Sequence, residues 1–215
     1  MLIVGAKGFA KEVLEVIHQL NDLENLVFYD DLNDAVPDKL FGQFPVLKNL
    51  HEVTNYFKTI DNRFTIGIGN PVLRKYIYDK FIALGGEFTS TISPLASIGS
   101  YDVHLSFGIN ILPGVILSNS TELGKGCIVY YNSIITHDCK IGDFVEISPS
   151  VTVLGRCTID SYSQIGANAT ILPDIKIGKN VIVGAGSVVT KDVQDNSMVV
   201  GVPGKIIKEL MPLEF

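Results

Sequence analysis

Every sixth residue from Leu105 to Val189 is aliphatic, and the frame holds without a slip through Ile111, Leu117, Leu123, Val129, Ile135, Ile141, Ile147, Val153 and onward. Two positions earlier the residue is mostly small, as at Cys127, Ser133, Cys139, Cys157, Ser163, Ala169 and Ser187. Neither a helix period near 3.6 nor a strand alternation of 2 generates a six-residue repeat of this length. Three short strands joined by three tight corners do, if each trio closes one triangular coil. The aliphatic residue then points inward and the small one fills the space beside a corner. The expected fold of residues 92–215 is therefore a parallel β-helix of five 18-residue coils, about 24 Å tall at the usual strand spacing. Ile92 and Ile98 stand one position out of phase, so the stretch 99–104 is expected to absorb a one-residue insertion. The repeat ends before Gly201-Val202-Pro203-Gly204. Ile206, Ile207 and Leu210 are expected to cover the open end, because a bare β edge invites aggregation.

Residues 1–91 follow a different pattern. Leu2-Ile3-Val4 reads as a strand ending in Gly5-Ala6-Lys7-Gly8, and Val13, Leu14, Ile17 and Leu20 then fall on one face of a helix. A second strand, 26–29, ends in Asp30-Asp31; Phe44–Leu47 reads as a short edge strand before a helix near 50–57. Phe64–Gly69 reads as a third buried strand, and Pro71 opens a helix that stops at Gly85-Gly86. Alternating strands and helices with glycine-rich turns imply a small Rossmann-like α/β domain with a parallel sheet. Its first turn, followed about 25 residues on by an acidic pair, fits either a nucleotide-binding loop or a tight strand–helix turn. The glycine fingerprint is incomplete at Lys7 and Ala10, and the strands counted are too few for a full dinucleotide fold, which argues against NAD.

Charge narrows the partners. The net charge is −6, and each half carries −3, so no basic surface exists to attract nucleic acid or anionic lipid. No run approaches the ~18 apolar residues of a membrane span, and the first residues read as strand and turn rather than a leader, which points to a cytoplasmic protein. The three cysteines all occupy the small hexad position, where packing is the expected role. Cys139 and Cys157 fall one coil apart, but a reducing compartment argues against a disulfide. No Cys/His ligand spacing appears, so no metal site is expected.

Residues 18 apart stack into columns. One column holds Asn119, His137, Gly155, Pro173 and Lys191, and another holds Pro113, Tyr131, Pro149, Ala167 and Ala185. His137 is followed by Asp138. A histidine with a carboxylate at hand suits general-base catalysis, since the acid fixes the tautomer and stabilises the imidazolium; a solvated corner histidine is the competing reading. His18 and His51 read as surface residues, and His104 as a structural residue at the solenoid's entry.

The hexads ending in Gly184–Val193 and Gly201-Val202-Pro203-Gly204-Lys205 resemble those of left-handed β-helix acyltransferases. The whole chain is similar to sugar acetyltransferases of the PglD/NeuD type. Gly5-Ala6-Lys7-Gly8, Asp30-Asp31, Ile68-Gly69-Asn70 with Arg74, and Thr136-His137-Asp138-Cys139 leading to Ile147-Ser148-Pro149 carry the likeness. The resemblance implies a homotrimer with acetyl-CoA in the groove between adjacent β-helices, and a nucleotide-activated amino sugar held by residues 1–91. It implies His137 as general base with Asp138 orienting it, and Gly155, Ala167 and Ala185 lining the CoA groove. Lys7, Gly8, Phe9, Asp30 and Asp31 would hold the nucleotide sugar, with Gly69 beside it. Two departures stand out: Phe9-Ala10 replaces a common His-Gly, and Glu146 occupies the place where members often carry a second histidine near the acetyl group.

The expected activity is acetyl-CoA-dependent N-acetylation of a nucleotide-linked amino-deoxy sugar for surface-glycan synthesis. O-acetylation of a sialic-acid-type sugar is the nearest alternative. A non-catalytic trimeric nucleotide-sugar-binding scaffold is the alternative of another class.

Overall fold

A computed structural model describes residues 1–33 and 35–215. Contacts divide the chain into two compact units, 1–93 and 94–215.

In the first unit, β1 (Leu2–Val4) leads to α1 (Gly8–Gln19), then β2 (Val27–Tyr29), β3 (Lys39–Leu40), β4 (Phe44–Leu47), α2 (Leu50–Thr59), β5 (Arg63–Ile66), α3 (Pro71–Ala83) and β6 (Glu87–Phe88). The sheet order is β3-β4-β2-β1-β5-β6, parallel except for the β3–β4 pair. Two of these strands escape the sequence pattern, β3 and β6, because each is only two residues long. Phe44–Leu47 is accordingly not the edge strand expected of it; β3 covers it. The five parallel strands run 3-2-1-4-5 in order of appearance, so the strand count is larger than the sequence pattern indicates. That order reverses between β1 and β5, which is where open α/β sheets place their ligand crevice.

Close packing at this point depends on small residues. A Cβ on Gly67 would lie 2.5 Å from the Ala10 Cβ, so Gly67 and Ala10 together let α1 settle on the end of β5. Ala10 thus fulfils the packing task of the third fingerprint glycine. Helix α3 starts as its sequence requires, with the Asn70 side chain accepting from the Leu73 N–H and Pro71 in the first turn.

The second unit is the β-helix. Its first face stacks Ile116–Leu117, Ile134–Ile135, Thr152–Val153, Thr170–Ile171 and Val188–Val189. The second stacks His104–Leu105, Glu122–Leu123, Lys140–Ile141, Thr158–Ile159 and Lys176–Ile177. The third stacks Asn110–Ile111, Ile128–Val129, Glu146–Ile147, Gln164–Ile165 and Ile182–Val183. Each strand pairs in parallel with the one 18 residues on, as Ile135 does with Val153. Ser97–Ile98 instead pairs with Ile116–Leu117, an offset of 19, so the single inserted residue is where the phase slip predicts it.

Every sixth residue from Asp102 to Gly186 turns a corner in the left-handed conformation, with φ between 55° and 75°. Only four of these fifteen are glycine; Asn, Asp and Ser fill most others, while Phe144, Arg156 and Tyr162 also adopt it. The small hexad residues do more than fill space. Ser133 Oγ donates to the Ser148 carbonyl and Ser163 Oγ to that of Gly178, both at 2.8 Å, and Cys127, Cys139 and Cys157 donate through Sγ to carbonyls 15 residues on. All three cysteines are buried and none is in a disulfide. The neighbouring Cys157 and then burial push the Cys139 thiol upward.

The far end differs from expectation. Ser197–Val200 joins the third face and Lys205–Glu209 pairs antiparallel with it, exposed along its whole length. Ile206 and Ile207 therefore do not cap the coil. Val193 and Val199, at 6% and 2% exposure, close it instead. A hairpin extends the sheet because the glycines at 201 and 204 turn the chain back before Ile206 can cross the opening.

Candidate active site

His137 projects from the corner between the first and second faces, exposed to solvent. Its position is fixed by the coil: the His137 carbonyl accepts from the Arg156 N–H at 3.0 Å and from Cys139 Sγ. Asp138 takes the left-handed corner conformation, φ 59°, which turns its carboxylate back onto the ring. Oδ2 lies 2.6 Å from His137 Nδ1. A carboxylate here holds the proton on Nδ1 and leaves the Nε2 lone pair for an incoming acid. One coil beyond, Gly155 provides the floor. A Cβ there would lie 2.5 Å from His137 Cε1 and 2.7 Å from Nε2, so the imidazole rests where any side chain at 155 would stand.

The other residues expected along the donor groove lie elsewhere on the solenoid. Gly155 shares the His137 corner, whereas Ala167 and Ala185 follow the third-face strands Gln164–Ile165 and Ile182–Val183. They therefore border the opposite edge of the first face. Glu146 sits on the third face, between Ile128 and Gln164, which is the face opposite the His137 corner. Within one copy of the chain, Glu146 and His137 do not meet.

In the first unit, a cleft of about 470 Å³ opens at the crossover between β1 and β5. Gly5, Lys7, Asp30, Asp31, Gly67 and Ile68 line it from the strand ends, and Leu73, Tyr76, Ile77 and Lys80 from α3. Lys7 Nζ donates to Asn33 Oδ1, and Asn33 Nδ2 donates to both Asp30 oxygens at 2.8 and 2.9 Å. The Asn33 and Leu32 N–H groups complete the set around the buried Asp30. Asp30 thus organises the loop, while the more exposed Asp31 accepts from Tyr29 Oη at 2.7 Å. Burial and then that carboxylate push the Tyr29 hydroxyl well above its usual range, so it stays a neutral donor. Helix α1 begins directly after the cleft-lining Lys7, which makes no side-chain cap. The cleft's size, apolar walls and few polar groups suit a small-molecule site.

Not every expected residue belongs to it. Phe9 is buried in the core, at 9% exposure, so only its backbone could face a ligand. Gly69 does not line the cleft; its carbonyl accepts from Arg74. Gly8 does not line it either, although a Cβ there would meet open space. Sequence reasoning missed Asn33, Tyr76 and Lys80. Tyr76 and Lys80, four residues apart on one face of α3, were the available signal.

His104 is also paired, with Nε2 3.0 Å from Asp102 Oδ1. It stands exposed on the second face. Among the described residues no cluster could hold a metal ion, and no helix is long and apolar enough to cross a membrane.

Comparison with known proteins matches both units. Residues 1–81 match the PglD N-terminal domain, and 138–173 and 156–191 match the bacterial transferase hexapeptide repeats. GDP-perosamine N-acetyltransferase of Escherichia coli O157:H7 is 28% identical over 159 residues, 71% of this chain and 69% of that protein. PerB from Caulobacter crescentus, solved with CoA and GDP-perosamine, superposes with a TM-score of 0.88 at 27% identity over 96% of both chains. WeeI from Acinetobacter baumannii AYE superposes with a TM-score of 0.86 at 31% identity, covering 96% of this chain and 98% of its own. With an N-terminal α/β unit followed by a left-handed β-helix, the chain belongs to the hexapeptide-repeat sugar acetyltransferases of the PglD/NeuD type.

Proposed function

We propose that the protein transfers an acetyl group from acetyl-CoA to the amine of a nucleotide-linked amino-deoxy sugar, with His137 as general base. The observation that carries this reading is the His137–Asp138 pair over Gly155, with Nε2 directed away from the carboxylate that holds Nδ1. As the neutral amine attacks the thioester carbonyl, a C–N bond forms and Nε2 takes the amine proton. The C–S bond then breaks, and the imidazolium returns the proton from Nε2 to the departing CoA thiolate. Asp138 stabilises the imidazolium in between.

The cleft at the crossover of β1 and β5 receives the nucleotide sugar. The α1 N-terminus and Lys7 suit a diphosphate, and the loop ordered by Asp30 presents Asn33 and Asp31 to the nucleoside. Acetyl-CoA runs along the β-helix where glycine and alanine corners at 155, 167 and 185 leave room for pantetheine. Glu146 reaches the donor from a neighbouring copy in a homotrimer. The relatives support the substrate class, since PerB was solved with CoA and GDP-perosamine. A cytoplasmic location accompanies this reading, because acetyl-CoA and nucleotide sugars are both made there.

The test is acetylation of GDP-, UDP- and dTDP-linked 4-amino-4,6-dideoxy sugars, with free sialic acid as control, followed by CoA thiol release. Turnover of at least one nucleotide amino sugar and a 10²–10⁴-fold loss of kcat in His137→Ala are expected. Absence of acetylation across the panel would overturn the substrate assignment, and an unchanged rate in His137→Ala the catalytic one.

A further inference from the structure

The left-handed corners 120, 138, 156 and 174 stack as Ser, Asp, Arg, Asp, one per coil. Arg156 therefore stands between two aspartates of the same backbone conformation, φ 59° at Asp138 and 65° at Asp174. Adjacent parallel strands place each about 4.8 Å away along the axis, well within the reach of an arginine. The guanidinium chooses one of them. Nε donates to Asp174 Oδ1 at 2.6 Å and a terminal nitrogen to Oδ2 at 2.7 Å, a bidentate fork. Asp138 is left with the His137 ring, at 2.6 Å. Hydrogen bonding from Arg156 holds the Asp174 carboxyl below its usual range, and Asp174 in turn raises Arg156.

We infer that Asp174 is a positioning residue: it retains Arg156 one coil below the His137–Asp138 pair and keeps the Asp138 carboxylate free for the imidazole. The inference rests on His137 acting as the base. Without Asp174, the only aspartate of the column within reach of Arg156 is Asp138. A guanidinium fork on that carboxylate competes for the oxygen that orients Nδ1 and places a positive charge beside a forming imidazolium. Both effects weaken the base. Arg156 carries its own cost here, since a bulky residue in a left-handed corner is disfavoured relative to the Asn, Asp or Gly found at most others. The groups charged around the fork are Asp138 above, Asp174 below and Arg156 itself; His137 and the buried Cys157 flank them.

Asp174→Asn is the informative variant, because asparagine tolerates the left-handed corner and keeps the side-chain volume. It is expected to lower kcat about five- to tenfold, with KM for the nucleotide sugar unchanged and the melting temperature near that of the parent. Arg156→Gln alone is expected to retain the parent kcat, and adding Arg156→Gln to Asp174→Asn to restore it. A lost structural ion pair would give the opposite result, no rescue. A crystal structure of Asp174→Asn is expected to show Arg156 on Asp138. Parent activity in Asp174→Asn, or a loss that Arg156→Gln does not reverse, would overturn the inference while a large His137→Ala loss still stands. An unaffected His137→Ala would instead remove the base assignment beneath it.

Discussion

A single methyl group tests the placement of the His137 ring over Gly155. In Gly155→Ala the new Cβ would meet His137 Cε1 at 2.5 Å, and the ring must tilt off its Nδ1–Asp138 bond. Gly155 is not in the left-handed region, so alanine suits its backbone and the fold is expected to survive. Steady-state kinetics are expected to show kcat reduced on the order of 10²-fold, the cost of misplacing a reacting group by about 1 Å. The melting temperature of Gly155→Ala is expected to change little. A kcat equal to the parent's would mean that the ring does not work in the position described. The column spacing picks out His137 and puts Gly155 under it from sequence alone. Asn33, Tyr76 and Lys80 are harder to read for the opposite reason: beyond the four-residue spacing of Tyr76 and Lys80 no repeat fixes their neighbours, and the crossover that gathers them depends on strand order. The corner role of Arg156 was equally hidden, because its side chain gives no hint of a positive φ.

Among the elements, the β-helix was the readable one. Its inward residues recur without interruption, and Ile147, like most of its neighbours, is fully buried. Ile147→Ala is expected to lower unfolding stability by about 2–5 kcal/mol in chemical denaturation. A value below ~1 kcal/mol would mean the coil collapses around the gap. The thiols give an independent check: none of Cys127, Cys139 and Cys157 is expected to react with a thiol reagent until the protein is denatured. The α/β unit was read less completely, since two-residue strands such as β3 and β6 carry too little sequence to show a period. Its electrostatics add a pH dependence. Burial would raise the Asp61 carboxyl, but hydrogen bonds from Arg63 and the Met1 amino group outweigh it and hold Asp61 far below the usual range. A depressed folded value contributes stability that is complete above the unfolded value near about 4 and disappears as pH falls below it. Asp61→Asn is expected to be less stable at pH 7 and to show a flatter stability profile between about pH 4 and 2. Parallel profiles would exclude this ion cluster as the source.

For the whole molecule, the faces of the β-helix decide what one copy can do. His137 stands on one corner and Glu146 on the face opposite, so a site using both takes them from two copies. Sedimentation is expected to give about three times the 23.4 kDa of the chain. If Glu146→Ala impairs turnover as the shared site requires, mixed and reassembled His137→Ala and Glu146→Ala proteins are expected to regain activity that neither has alone. No recovery would place the whole site within one copy. The 18-residue pairing also governs which changes of length the gene can accept. Deleting one residue inside a coil breaks the register between that coil and its neighbours, whereas removing or duplicating a complete coil away from Asp138 and Arg156 leaves each remaining strand with an equivalent neighbour. Length variation in this half of the protein is therefore expected in steps of 54 nucleotides. The odd residue before Leu105 is tolerated because only the first coil must accommodate it.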